Sequence, residues 1–167
     1  MTNPDTVFAA PFKGSQQVVK DEWIDYNGHF NMAYYSVLFD EICDQAFRLT
    51  GLGPDYAKSK NCSYFTLESQ VNYLRELKAG DQVDITLQLY DYDAKRIHFF
   101  LHMYHAKEGW LSATMESLCL HVDMAKKKSA PWPDDIRKKI AAMYEAHKDL
   151  PTPKQLGNTI GIVRKMA

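Results

Sequence analysis

In the run Trp23-Ile24-Asp25-Tyr26-Asn27-Gly28-His29-Phe30-Asn31, a carboxylate, an amide and an imidazole stand at alternate positions. Those residue types suit the hydrolysis of an activated acyl group. Asp25 can act as general base toward water, or attack a carbonyl itself to give a mixed anhydride, and spacing leaves both routes open. Asn27 can orient the water or the carbonyl. His29 can donate to the carbonyl oxygen or hold Asp25 in place. Gly28 lets the backbone turn tightly and lets a substrate approach closely. Asn31 then offers an N-cap, and backbone amides at Asn31 and Met32 could receive an oxyanion. The same types are also ordinary turn and capping residues. Asn31 is read first as a structural cap.

The element that must position this cluster follows it. From Met32 to Leu49, Tyr35, Leu38, Phe39, Ile42, Ala46 and Leu49 recur at helical spacing. Arg48 and Gly51 are stop signals, and Gly53-Pro54 continues the break. Upstream, Met1–Gly14 reads as irregular, and a short strand runs from Val18 toward Trp23. From Cys62 the period changes to two. Phe65, Leu67, Val71 and Tyr73 are expected on one face; Thr66, Glu68, Gln70 and Asn72 on the other. Val83–Leu89, Ile97–Tyr104 and Trp110–Asp123 continue the alternation, separated by turns at Lys78–Asp81, Asp91–Lys95 and Lys107–Gly109. The expectation is an α+β domain with one long helix against a curled antiparallel sheet. After a solvated Lys126-Lys127-Lys128 run and a rigid Pro131-Trp132-Pro133 linker, Asp134 or Asp135 is expected to cap a second helix through Ala146. The polar tail beyond Pro151 is expected to be disordered or to lie along a neighbouring subunit. Residues 1–17 thus form an irregular N-terminal segment, 18–125 the main domain, and 126–167 a C-terminal helix and tail packed on it.

Composition narrows the function. The chain has 167 residues, 46% hydrophobic and 25% charged, enough for one domain with a real core. A net charge of −1 argues against nucleic-acid binding through bulk electrostatics. No apolar run approaches a membrane span, and Met1–Ala10 lacks the pattern of a secretory signal. Three cysteines, Cys43, Cys62 and Cys119, form no CxxC pair and suit a reducing compartment, so a cytoplasmic protein is expected. His98 and His102 share a strand face but stand about 13 Å apart, too far for one zinc ion, so no metal and no cofactor are expected. No Gly-x-Ser-x-Gly elbow supports a serine hydrolase.

The run Asp25-x-Asn27-x-His29-x-Asn31, with Tyr35 beyond it, resembles the signature of the hotdog-fold acyl-thioester hydrolases, the 4-hydroxybenzoyl-CoA thioesterase-like superfamily. Plant acyl-carrier-protein thioesterases carry a similar run. Within the superfamily the chain is most similar to the betainyl-CoA thioesterases of carnitine breakdown, on Trp23–Asn31, Phe65-Thr66-Leu67-Glu68, Asp93-Ala94-Lys95-Arg96 and Leu120-His121-Val122-Asp123-Met124. The likeness runs from Val18 to Met124. It implies a hotdog fold, hydrolysis of a small acyl-CoA with betainyl-CoA as the candidate, and Asp25, Asn27 and His29 as catalytic residues. CoA enters as part of the substrate. It also implies a homodimer or a dimer of dimers.

Around that trio the expected substrate-binding set is Tyr26, Gly28, Phe30, Asn31, Met32, Tyr35 and Glu68. Glu68 is the second carboxylate to watch, because resembling enzymes place one near the thioester, sometimes from the partner subunit. Aromatic rings near the signature, among them Trp23, Tyr34, Tyr64 and Phe65, can cage a trimethylammonium group, with Glu68 or Asp44 as countercharge. Lys95 and Arg96, at a turn, are candidates for CoA phosphates. Two rival readings are a hotdog dehydratase or hydratase and a non-catalytic acyl-CoA or osmolyte-binding module. Phe30-Asn31 after His29, in place of Pro-Gly, counts against the first. A binding module has no need of the Asp–Asn–His trio.

Overall fold

Helix α1 (Met32–Arg48) is the axis of the computed structural model, which describes residues 7–162 and 164. Its apolar stripe buries Tyr35, Leu38, Phe39, Ile42, Cys43, Ala46 and Phe47. Leu49, expected on the same stripe, is the C-cap and is partly exposed. At the other end Asn31 Oδ1 accepts the Ala33 N–H at 3.0 Å, which makes Asn31 the cap its residue type suggested.

One antiparallel sheet packs on this helix. It contains β1 (Phe12–Lys13), β2 (Gln17–Val18), β3 (Cys62–Tyr73), β4 (Gln82–Tyr92), β5 (Arg96–His105), β6 (Leu111–Asp123) and β7 (Lys128–Ser129). The order is β1-β4-β5-β6-β3, with β2 also on β4 and β7 on β6. Strands β4 to β6 form the expected meander. Strand β3 lies beside β6, leaving its other edge open. The alternating residues Val83, Ile85, Leu87 and Leu89 of β4, and Ile97, Phe99, Leu101 and Met103 of β5, are all buried. Phe47 of α1 meets Phe99 edge-on at 5.0 Å between ring centres. Each such side chain contributes about 1.5–3 kcal/mol on full burial. This long helix held in a curled sheet is the hotdog arrangement.

Several local expectations are corrected. The N-terminal segment is not wholly irregular: Phe12 and Lys13 pair with Leu87 and Thr86 of β4. Gly14 is needed just behind them, because a Cβ there would lie 2.4 Å from Ile42 Cδ1. The strand expected from Val18 to Trp23 is only Gln17–Val18, and a 3₁₀ turn occupies Asp21–Trp23. Pro54 does not merely break the chain; as the first residue of a short helix α2 (Pro54–Lys60), it starts one. Helix α3 (Asp134–His147) is present, but its N-cap is Pro133 with no side-chain cap, and both aspartates lie in the first turn.

The alternation of β3 also fails midway. Thr66 pairs with Cys119 and Glu68 with Leu118, so Leu67 is an inserted, unpaired residue. The insertion reverses the pleat. Tyr64 and Thr66 therefore share the α1 side with Ser69, opposite Cys119 and Ser117. Phe65 does not face the same way as Val71 and Tyr73. The tail, in turn, has a defined path over residues 150–159. It crosses the outer face of its own sheet, where the Gly157 N–H donates to Glu116 Oε2 at 2.7 Å. The other oxygen of Glu116 lies 2.8 Å from His98 Nε2.

Candidate active site

The signature loop closes on itself before it meets the helix. Asn31 N–H donates to the Trp23 carbonyl at 2.9 Å, and Ile24 bridges to Phe30. Inside that closure Asp25 N–H donates to His29 O, and Gly28 N–H to Asp25 O. Gly28 holds a φ of +76°, which this tight turn requires. Phe30 N–H then donates to the Leu77 carbonyl at 3.1 Å, tying the loop to the segment after β3. That bond, with the His29–Glu76 and Tyr73–Met32 contacts, sets what faces the loop.

Asp25 has two distinct oxygens. Oδ1 accepts the backbone N–H of Asn27 at 2.8 Å and of His29 at 3.2 Å. That is an Asx turn, the structural role its residue type also allowed. Oδ2 has no hydrogen-bond donor among the described residues. Asp25 lines a cleft of about 500 Å³ with Tyr26, His29, Phe30, Asn31, Met32 and Tyr35 on one wall. The opposite wall is Tyr73, Leu74, Arg75 and Glu76. At the helix end the first-turn amide of Met32 finds no acceptor among the described residues. Asp25, with one carboxylate oxygen free, and Met32, with an unpaired helix N-terminal amide, thus line one cavity, and an acyl-transfer site needs such a pair of groups.

The remaining expected residues divide. The His29 imidazole does not hold the Asp25 side chain; its Nε2 lies 2.8 Å from Glu76 Oε2, with both groups about half exposed. Asn27 and Gly28 are exposed and stand outside the cleft lining. Phe30 and Tyr35 are buried, 4.2 Å apart between ring centres, and Tyr35 meets Tyr73 edge-on at 5.1 Å. Burial pushes the Tyr35 phenol above its ordinary pKa. Tyr73 donates its hydroxyl to the Met32 carbonyl at 3.2 Å. Tyr26 stands almost wholly in solvent.

Glu68 is not part of this cleft. The inserted Leu67 keeps it on the outer sheet face, near His98, Glu116 and the tail. Lys95 and Arg96 lie at the far end of β5. From Arg96 to Met103, level with the cleft, the strand covers about 23 Å. Arg96 is also held by Asp93 at 2.6 Å, an exposed pair that keeps the Asp93 carboxyl below its ordinary range despite some burial. Asp44 is engaged by Arg48 at 3.7 Å and by the Tyr64 hydroxyl at 3.4 Å.

Four cleft residues escaped the sequence reading: Tyr73 as a cleft wall, Leu74, Arg75 and Glu76. They enter because Leu77 receives the Phe30 amide, a long-range bond with no periodic signal. A second groove of about 360 Å³ continues along α1, lined by Asp40, Cys43, Tyr64 and Thr66 among others. Burial, then Asp44 and Glu41, raise the Asp40 carboxyl above its usual range.

A family model described as the thioesterase-like superfamily matches residues 19–140, and the chain belongs to that superfamily. It is a thioester hydrolase of hotdog fold. Among characterised relatives, it is 35% identical over 144 residues to the betainyl-CoA thioesterase of Pseudomonas aeruginosa, covering 86% of this chain and 91% of that one. It is also 35% identical over 153 residues to the L-carnitine dehydrogenase/betainyl-CoA thioesterase of Rhizobium meliloti, covering 92% of this chain but only 31% of that longer protein. Among solved structures, a hypothetical protein from Staphylococcus aureus in complex with CoA aligns with a TM-score of 0.87 at 31% identity, over 95% of this chain and 99% of that one. A putative thioesterase from Pseudomonas putida aligns at 0.80 with 30% identity, over 93% and 99%.

Proposed function

We propose that the protein hydrolyses a small acyl-CoA, with betainyl-CoA as the leading substrate, and that Asp25 carries the chemistry. The supporting observation is that Asp25, with Oδ2 free, lines the same cleft as Met32, whose amide is unpaired. The thioester carbonyl sits with its oxygen toward that amide. Asp25 takes a proton from water as it adds, or attacks the carbonyl and is released by water in a second step. Either way the tetrahedral oxyanion is held by the helix amide, and the CoA thiolate departs and is protonated. A donor of this kind is worth about 3 kcal/mol in comparable sites. His29, steadied by Glu76, supplies a further donor at the rim. Asn27 assists only if the loop turns inward on binding.

The betainyl reading draws on the Pseudomonas aeruginosa and Rhizobium meliloti relatives. The CoA reading draws on the Staphylococcus aureus complex. A homodimer completes the picture, formed along the open edge of β3, where Phe65 and Leu67 are about half exposed. Antiparallel self-pairing of that edge lays the Lys95–Arg96 end of one copy beside the Asp25 end of the other. It is the arrangement in which Glu68, Lys95 or Arg96 would serve a partner's cleft. No helix among the described residues is long and apolar enough to cross a membrane. The three free cysteines suit a reducing, cytoplasmic setting.

The decisive experiment is a thiol-release screen over short, branched, aromatic and quaternary-ammonium acyl-CoAs. Betainyl-CoA should exceed a neutral isostere by at least about tenfold in kcat/KM, the discrimination expected of a desolvated cation contact. Equal rates remove the betainyl assignment, and no thiol release from any of them removes the activity.

A further inference from the structure

The cleft that holds Asp25 also carries one permanent cation, and its surroundings leave that cation free. Arg75 lies on the wall opposite the signature loop. Its guanidinium stacks over the Trp110 ring, 4.1 Å from the ring centre. Trp110 is itself fixed, because its indole N–H donates to Glu108 Oε2 at 2.7 Å. The backbone of Arg75 is clamped at both polar groups: its N–H donates to Ser112 O at 3.0 Å, and its carbonyl accepts the Ser112 hydroxyl at 2.7 Å. Yet among the described residues the guanidinium makes no salt bridge. The nearby carboxylates have other partners, Glu76 at His29 and Glu108 at Trp110. By contrast Arg96 is held by Asp93.

A guanidinium with a fixed stem, a stacked face and a free N–H edge is prepared for a planar or tetrahedral anion. Stacking limits its rotamers in advance, so less entropy is lost when an oxyanion binds. We infer that Arg75 grips a phosphate group of CoA at the mouth of the Asp25 cleft, in place of the Lys95–Arg96 turn of the same chain. This rests on the acyl-CoA reading above and adds the residue that recognises the carrier. Phosphate here has two sources, the diphosphate bridge and the 3′-phosphate of the ribose.

Binding of CoA, dephospho-CoA and pantetheine, without any acyl group, tests this by calorimetry on the full chain. Wild type should bind CoA at least about tenfold more tightly than pantetheine, and Arg75→Gln should remove that difference while leaving pantetheine binding unchanged. Arg75→Lys, which keeps the charge but not the fork, should fall between them. If dephospho-CoA behaves as CoA, the diphosphate is the group held; if it behaves as pantetheine, the 3′-phosphate is. The inference is overturned if Arg75→Gln binds CoA normally, if it weakens CoA and pantetheine equally, or if wild type does not distinguish the two. Because no turnover is read, a failure of hydrolysis in the acyl-CoA screen counts against the proposed activity and not against Arg75.

Discussion

Asp25 holds the turn with one oxygen, and the proposed chemistry uses the other; a pair of substitutions separates the two. Asp25→Asn keeps an acceptor at Oδ1 for the Asn27 and His29 amides, which now lie at 2.8 and 3.2 Å. The loop should survive, with stability within about 0.5 kcal/mol of wild type. Its second atom becomes an NH₂ that cannot take a proton from water or attack a carbonyl. Loss of a general base removes about two to four decades of rate. Asp25→Ala removes Oδ1 as well, and with it both backbone bonds. Each backbone bond is worth about 0.5–1.5 kcal/mol, and the loop is exposed enough for water to replace part of it. A total cost of about 1 kcal/mol is therefore expected. Urea denaturation measures the stability, and thiol release under saturating acyl-CoA measures the rate. The expected pattern is two equally inactive proteins, of which only the alanine variant is destabilised. An asparagine variant near wild-type rate, beside an impaired alanine variant, would show that Asp25 serves only the turn.

Asn31→Ala should cost about 1 kcal/mol, read as a fall of roughly 2–4 °C in Tm, because the Ala33 amide loses its side-chain acceptor. Gly14→Ala should destabilise by about 1–3 kcal/mol, since its Cβ would overlap the fully buried Ile42; unchanged stability would mean that the N-terminal segment is not seated on α1. His147 is buried between Leu89 N–H, which donates to Nδ1 at 2.9 Å, and Ala9 O, which lies 2.8 Å from Nε2. Burial lowers its pKa below 6.5, partly opposed by the Ala9 bond. Its contribution is therefore complete above about pH 6.5 and declines as the pH falls toward the lowered folded value. His147→Gln should flatten that part of a stability–pH curve, measured by urea denaturation at successive pH values.

Where one residue's neighbours lie close in sequence, the fold was readable. The helix at Met32–Arg48 follows from its apolar stripe, its asparagine cap and its arginine end. Strands β4 and β5 follow from alternation with buried faces. Periodicity cannot register an insertion, so the pleat reversal at Leu67 misplaced Phe65 and Leu67 and obscured where Glu68 lies. The cap–turn ambiguity at Asp25 was also intrinsic. The same carboxylate fills the turn with one oxygen and leaves the other free. Glu76 and Arg75 were invisible because a bond spanning Phe30 to Leu77 sets them opposite the loop. The place of β3 beside β6 is likewise a long-range pairing.

Leu67 has a further consequence for the rim of the sheet. An extended peptide that tried to add itself along β3 would meet one continuous ladder over Cys62–Thr66, then a displaced one from Glu68 onward. The inserted residue bends and twists the edge locally, which blunts the templating hazard of a long bare border. In the proposed homodimer, two-fold pairing about Leu67 would set one insertion opposite the other. One extra residue thus interrupts a border that would otherwise run unbroken from Cys62 to Tyr73.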